Sequence, residues 1–271
     1  MRARAELAAE SGSDDARLWW RSCPPIALRQ TGPRRVHLVQ AAGGPLGGDE
    51  LALDVHLGVG ASLQVSSAAA TVVQPGNPLA PTRWTVAADL ADGAMLEWCP
   101  EPTVVCDGAE LHSSMTVALR RGARAVLREV VVLGRGGQRG GRFHGEFTVE
   151  RDGIPQLAHT LLLDGADAVL AGPAGTGGAR VVGMLAGVGE GIGEPPEASG
   201  EEPGLRWACS ALDGPGWLLL ALGDRATDVA QLLDQAAQEV GVRASQDHAV
   251  VHRRQSPLSE LARRASAQHE A

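Results

Sequence analysis

Strand-like runs dominate from about Ala3 to Asp164, and within them apolar and polar positions alternate on either side of glycines that return at nearly equal intervals. Leu57-x-x-Gly60-Ala61-x-Leu63, Leu90-x-x-Gly93-Ala94-x-Leu96 and Leu119-x-x-Gly122-Ala123-x-Ala125 share one pattern, with glycines 33 and 29 residues apart. A degraded fourth copy stands at Asp152-Gly153, where Ile154 replaces the alanine. Period-two patterning broken at a residue that tolerates positive φ predicts a strand, a tight turn and a return strand. A repeat of about 30 residues predicts stacked units that share a continuous core.

Other segments extend the same reading. Arg35–Gln40, Arg128–Leu133, Phe147–Gly153 and 157–163 have strand character, and 170–186 reads as weak strand plus loop. Residues 187–203, rich in Gly, Glu and Pro, read as a flexible loop. Trp207 to Leu222 returns to strand character around a turn at Asp213-Gly214-Pro215-Gly216. One helix is predicted over Asp228–Val240. Its apolar positions 229, 232, 233, 236 and 240 share a face, and Thr227 is a candidate cap. A marginal second helix falls at 258–265. The expected fold is mainly β, a β-helical, solenoid-like stack of strand pairs with one or two helices near the C-terminus. It forms a single domain over 1–242, followed by a polar, poorly ordered tail over 243–271.

Composition narrows the chemistry more than the fold. At 271 residues and 44% apolar the chain can bury a sizeable core. Tyr is absent and Phe occurs twice, so Val, Leu and Ala do most of the filling. All 24 basic residues are Arg; without lysine, a Walker-type phosphate loop and Schiff-base catalysis are both excluded. A net charge of −8 argues against binding a nucleic-acid backbone. No run approaches the roughly 18 apolar residues of a membrane span, and acidic residues near the N-terminus do not suit a signal peptide. The cysteines 23, 99, 106 and 209 form no C-x-x-C pair, which fits reduced thiols in the cytoplasm.

The densest acidic constellation is Glu97-Trp98-Cys99-Pro100-Glu101, followed by Asp107 and Glu110. Carboxylates at this density serve as the acid and base of a hydrolase, as oxygen ligands along a cation path, or as the solvated rim of a strand pair. Spacing alone leaves all three open. The eight histidines never fall at ligand spacing within one well-defined element. Ser66-Ser67 and Ser113-Ser114 lack the context of a catalytic nucleophile. Gly134–Gly141 reads as a structural turn, because no regular helix follows it to bind a phosphate.

In order along the chain, Gly43-Gly44-Pro45-Leu46-Gly47-Gly48-Asp49, Val65-Ser66-Ser67-Ala68-Ala69-Ala70-Thr71, Leu96-Glu97-Trp98-Cys99-Pro100-Glu101 and Leu133-Gly134-Arg135 resemble the urease accessory protein UreD family, also called UreH. The match covers about residues 35–163, and the Glu-Trp-x-Pro block is its most specific element. It departs from the family where Gly140-Gly141-Arg142 precedes Gly145-Glu146. The resemblance implies a non-enzymatic maturation factor on a β-helical scaffold. It implies urease apoprotein, UreF and the GTPase UreG as partners, without nucleic acid or membrane. It also implies nickel as transferred cargo with no tightly bound cofactor. Glu97, Glu101, Asp49 and Glu129 then become candidate polar groups of a transit path. The alternative is a β-helical hydrolase using Glu97, Glu101 or Asp107.

Overall fold

A computed structural model of the chain describes residues 1–12, 16–76, 80–194 and 199–239. The N-terminal strands are β1 (Arg2–Glu10), β2 (Arg17–Arg21), β3 (Ile26–Gly32) and β4 (Arg35–Gln40). Three rungs follow. They are β5 (Glu50–Leu57), β6 (Ser62–Ser67) and β7 (Thr71–Val73); β8 (Thr82–Leu90), β9 (Met95–Cys99) and β10 (Thr103–Val105); and β11 (Glu110–Leu119) with β12 (Arg124–Leu133). The chain continues through β13 (Arg142–Arg151), β14 (Ile154–Asp164), β15 (Val181–Gly189), β16 (Gly200–Glu202), β17 (Leu205–Ala211) and β18 (Gly216–Gly223) to one helix, α1 (Ala226–Glu239).

The repeat is a stack, as its period predicts, but the return strand does not pair with the strand before it. Each glycine corner carries the chain from one sheet to another. β5, β8 and β11 lie parallel in a seven-stranded sheet ordered β14-β13-β11-β8-β5-β1-β2. β6, β9 and β12 lie parallel in an eleven-stranded sheet, in which they follow β4 and precede β15. β7, β10 and the end of β12 form a short third face. Equivalent residues stack in register: Leu57 on Leu90 on Leu119, and Leu63 on Leu96 on Ala125.

Locally, each corner has the backbone of a tight glycine turn. Gly60, Gly93 and Gly122 hold φ near +65°, +68° and +68°. Their hydrogen bonds, however, go to the next rung: Gly60 N–H to Asp92 C=O and Gly93 N–H to Arg121 C=O, both 2.9 Å. A Cβ on Gly122 would come no closer than 3.8 Å to Gly93, so backbone conformation and not space demands glycine here. The fourth copy is different in kind. Asp152 and Gly153 both have positive φ and join β13 to β14 as a two-residue hairpin, with Arg151 opposite Ile154. That hairpin ends the parallel stack in the smaller sheet.

The core between the sheets is aliphatic. Leu7, Leu53, Leu90, Leu96, Leu119 and Leu127 are almost fully buried, and each contributes on the order of 2 kcal/mol of hydrophobic stabilisation. A second core lies outside the larger sheet, under α1. Val229, Leu232, Leu233 and Ala236 are buried there, as their spacing requires. Gly183 on β15 seats the helix, since a Cβ would fall 2.4 Å from Val229 Cγ1. Coverage on both faces explains why β15 is buried at every position, where weak strand and loop were expected.

β15 runs to Gly189 and β16 occupies Gly200–Glu202, both inside the stretch expected to be loop; residues 195–198 lie outside the described residues. The helix starts at Ala226, so Thr227 sits within its first turn and donates to Asp228 instead of capping it. Val240, the segment 258–265 and the tail expected over 243–271 also lie outside the described residues. Among the described residues no helix is long and apolar enough to cross a membrane.

Candidate functional site

Pairing between rungs is in register on both sides of one corner, but the number of residues spanning that corner is not constant. Val65, Trp98 and Leu127 pair across the larger sheet, and Thr71, Thr103 and Val131 pair across the third face. Six residue steps connect the first rung's pair of positions, five the second's and four the third's. The surplus residues leave the hydrogen-bond ladder and bow outward, as at a bulge. A cavity of about 80 Å³ reaches into the core beside this corner, lined by residues of all three rungs. That volume exceeds one water molecule's share of the liquid, about 30 Å³.

Most of the lining is apolar, with Trp84, Trp98, Met115 and Phe147 prominent. Its ionisable lining residues are Glu101, Arg128 and Glu129. Strand alternation puts Leu127 and Glu129 on the inner face of β12, between Val126, Arg128 and Val130 on the outer one. The Glu129 side chain is half-buried and lines the cavity. Ser113 on β11 donates to Oε1 at 3.3 Å. On β13, Gly145 leaves room beside the carboxyl, because a Cβ would lie 3.4 Å from Oε2 and 2.5 Å from the Phe143 ring. Burial lifts the Glu129 carboxyl to about 7, opposed only in part by the Ser113 hydroxyl. Near neutral pH this group exchanges a proton readily, and a cation beside it favours the carboxylate.

Glu101 stands exposed at the mouth. Its N–H donates to Ser67 Oγ at 2.9 Å, and that hydroxyl donates to Ala69 C=O at 3.0 Å. Two successive corners are thereby laced together. Asp49 anchors the glycine-rich turn whose Pro45 forms part of the cavity wall. Its carboxylate accepts the Leu46 N–H at 2.9 Å and the Met1 amine at 2.6 Å. Although Asp49 is buried, those bonds outweigh burial and hold its carboxyl below the ordinary value.

Glu97 faces the other way. Leu96 and Trp98 point into the core, so Glu97 lies on the outer face of β9, buried, and accepts from Gln64 Nε2 at 2.9 Å. Gln64 in turn accepts from Arg35 Nε at 2.6 Å. Asp107 lies in the turn between β10 and β11 and receives the N–H of Gly140, in the loop after β12, at 2.5 Å. The structure thus brings Glu101 and Glu129 to one cavity, Asp49 to the turn that supplies Pro45 to its wall, and Glu97 to the opposite face of the sheet. The three carboxylates of the hydrolase alternative, Glu97, Glu101 and Asp107, share no groove.

Among the described residues no group of three or more His, Cys, Asp or Glu side chains is placed to hold a metal ion. Sequence spacing missed one pair: His112 and His144 are direct neighbours on β11 and β13, with ring centroids 5.3 Å apart, flanked by Glu110 and Glu146. It also missed Ser113 and Gly145, whose closeness to Glu129 depends on the packing of one sheet against the other. The warning sign was present in Arg128-Glu129, two adjacent charges inside an otherwise apolar strand.

The glycine-rich turn at 43–49, the segment 65–71 and the block 96–101 all meet around this mouth. A family profile described as "UreD urease accessory protein" matches residues 12–256. The chain is 39% identical over 282 residues to the urease accessory protein UreD of Frankia alni, covering 89% of this chain and 94% of that one. It is 41% identical over 218 residues to that of Streptomyces coelicolor, covering 78% and 85%. It is 37% identical over 247 residues to urease accessory protein UreD 1 of Saccharopolyspora erythraea, covering 87% and 94%. The sequence segments, the stacked β-scaffold and these full-length matches agree: the chain belongs to the UreD family of urease accessory proteins.

Proposed function

We propose that this chain acts in urease maturation by bridging apo-urease to the UreF–UreG GTPase complex and by giving nickel a route through its interior toward the urease active site. The observation that carries the reading is the cavity between the two sheets, entered past Glu101 and holding Glu129 inside, in a chain of the urease accessory family. Nickel is cargo here and not a resident cofactor. Oxygen donors presented one at a time bind a borderline cation weakly, and a conduit must release what it takes up. Glu101 and Glu129 act along the route, Asp49 fixes its wall, and Glu97 supports the sheet from behind. The protein works without catalytic residues, in the cytoplasm, with protein partners and neither nucleic acid nor membrane.

The test is co-expression of urease and its accessory proteins with and without this chain, measuring nickel bound per urease active site. Omission abolishes loading, and Glu129→Gln together with Glu101→Ala lowers it more than Glu97→Ala does. Full loading without the chain overturns the assignment. Full loading with the double variant removes the route while leaving the bridging role.

A further inference from the structure

The corner at Cys99-Pro100 is held from behind by a buried charge. Arg128 follows Leu127 on β12 and lies on the face opposite Glu129, its side chain only 5% exposed. Nη1 donates to Asp234 Oδ1 on α1 at 2.6 Å. Nη2 donates to the Pro100 carbonyl at 2.8 Å and the Cys99 carbonyl at 3.3 Å. Nε has no hydrogen-bond partner among the described residues. A guanidinium taken out of water needs both a counter-charge and acceptors. Arg128 finds its charge partner on the helix and its acceptors on the corner. Those carbonyls belong to the segment where the surplus residue interrupts the ladder with β12, and Pro100 has no N–H to restore it.

The geometry points to Arg128 as a positioning residue that couples the seat of helix α1 to the mouth of the cavity. If α1 lifts, the Asp234 carboxylate is withdrawn from a buried cation, and the two corner carbonyls must move with the guanidinium or lose it. The same corner carries Glu101, whose N–H is tied to Ser67 on the preceding rung, so the displacement passes directly to the rim. A protein partner that grips α1 thereby sets the aperture. The proposal rests on the cavity serving as the nickel route, but the coupling is measurable without nickel.

The experiment is hydrogen exchange on the isolated full-length protein, read at the Glu101 amide and across α1, for Asp234→Asn, Arg128→Met and the control Asp228→Asn. Asp228 lies on the same helix but pairs with Arg225 and Thr227, away from the corner. Asp234→Asn is expected to speed exchange at Glu101 about tenfold, Arg128→Met at least as much, and Asp228→Asn not at all. Asp234 is 39% exposed and its Asn variant is isosteric, so it decides the matter even if Arg128→Met does not fold. Acceleration confined to α1, or equal at Glu101 in both helix variants, overturns the coupling. Nickel loading of urease measured on the same variants is a separate readout: unchanged loading despite faster exchange at Glu101 overturns the route and leaves the coupling standing.

Discussion

Replacing Glu129 by Gln probes the interior of the cavity through stability alone. In the folded chain this carboxyl ionises near 7, against 4.5 ordinarily, so the native state holds its proton more tightly than the unfolded state does. Stability therefore falls as pH rises from about 4.5 to about 7 and stays lower beyond. At about 1.4 kcal/mol per pH unit, the full penalty is about 3 kcal/mol. Gln has the shape of the protonated acid, keeps an acceptor for Ser113 and does not ionise. The variant's advantage over wild type should consequently grow by about 2.5 kcal/mol between pH 5 and pH 8. Urea unfolding followed by tryptophan fluorescence, at several pH values on both proteins, measures this directly. Asp49 and Glu110, held low by their partners, and His159, pushed low by burial, titrate in both proteins and cancel in the difference. A flat difference would show that Glu129 ionises as a solvated carboxylate does, and the enclosed-cavity argument would fail with it.

Gly93→Ala forces a Cβ onto a backbone at φ +68° and should destabilise by about 1–2 kcal/mol in the same unfolding assay, with the register intact. Leu96→Ala empties a fully buried site between the sheets and should cost about 2–5 kcal/mol. Gly183→Val drives a side chain into Val229. It should release α1, seen as raised exchange across 226–239 with little change in β5 or β8. Asp49→Asn should cost about 1–2 kcal/mol at pH 7, and because the Asp49 carboxyl is held below its ordinary 3.8, the penalty should shrink as pH falls below about 4.

Strand content and the repeat were legible because alternation and a positive-φ glycine are local properties. Whether a glycine turn makes a hairpin or a corner is decided by which carbonyl receives its N–H, and Asp92 and Arg121 sit a whole rung away from Gly60 and Gly93. Of the four repeat copies only the Asp152-Gly153 turn is a hairpin, and its two adjacent positive-φ positions are the local difference. For the site, Glu101 was visible in a dense acidic block, whereas Glu129 came only from the family resemblance. That Glu97 turns away from them follows from alternation, since Leu96 and Trp98 are the residues that fill the core. The nearness of Ser113 and Gly145 to Glu129 arises from stacking three rungs, which no window of sequence contains.

The six, five and four steps across the corner have a consequence for how the bore is specified. Its width is written as chain length in segments that bear little of the core, whereas the leucine stacks and the glycine corners fix the sheets independently. Adding or removing a single residue near Ala69 or Pro100 would widen or narrow the opening without shifting the register of either sheet. The size of the cavity is thus set apart from the packing of the interior, and insertion or deletion at the corner is the expected way to change it.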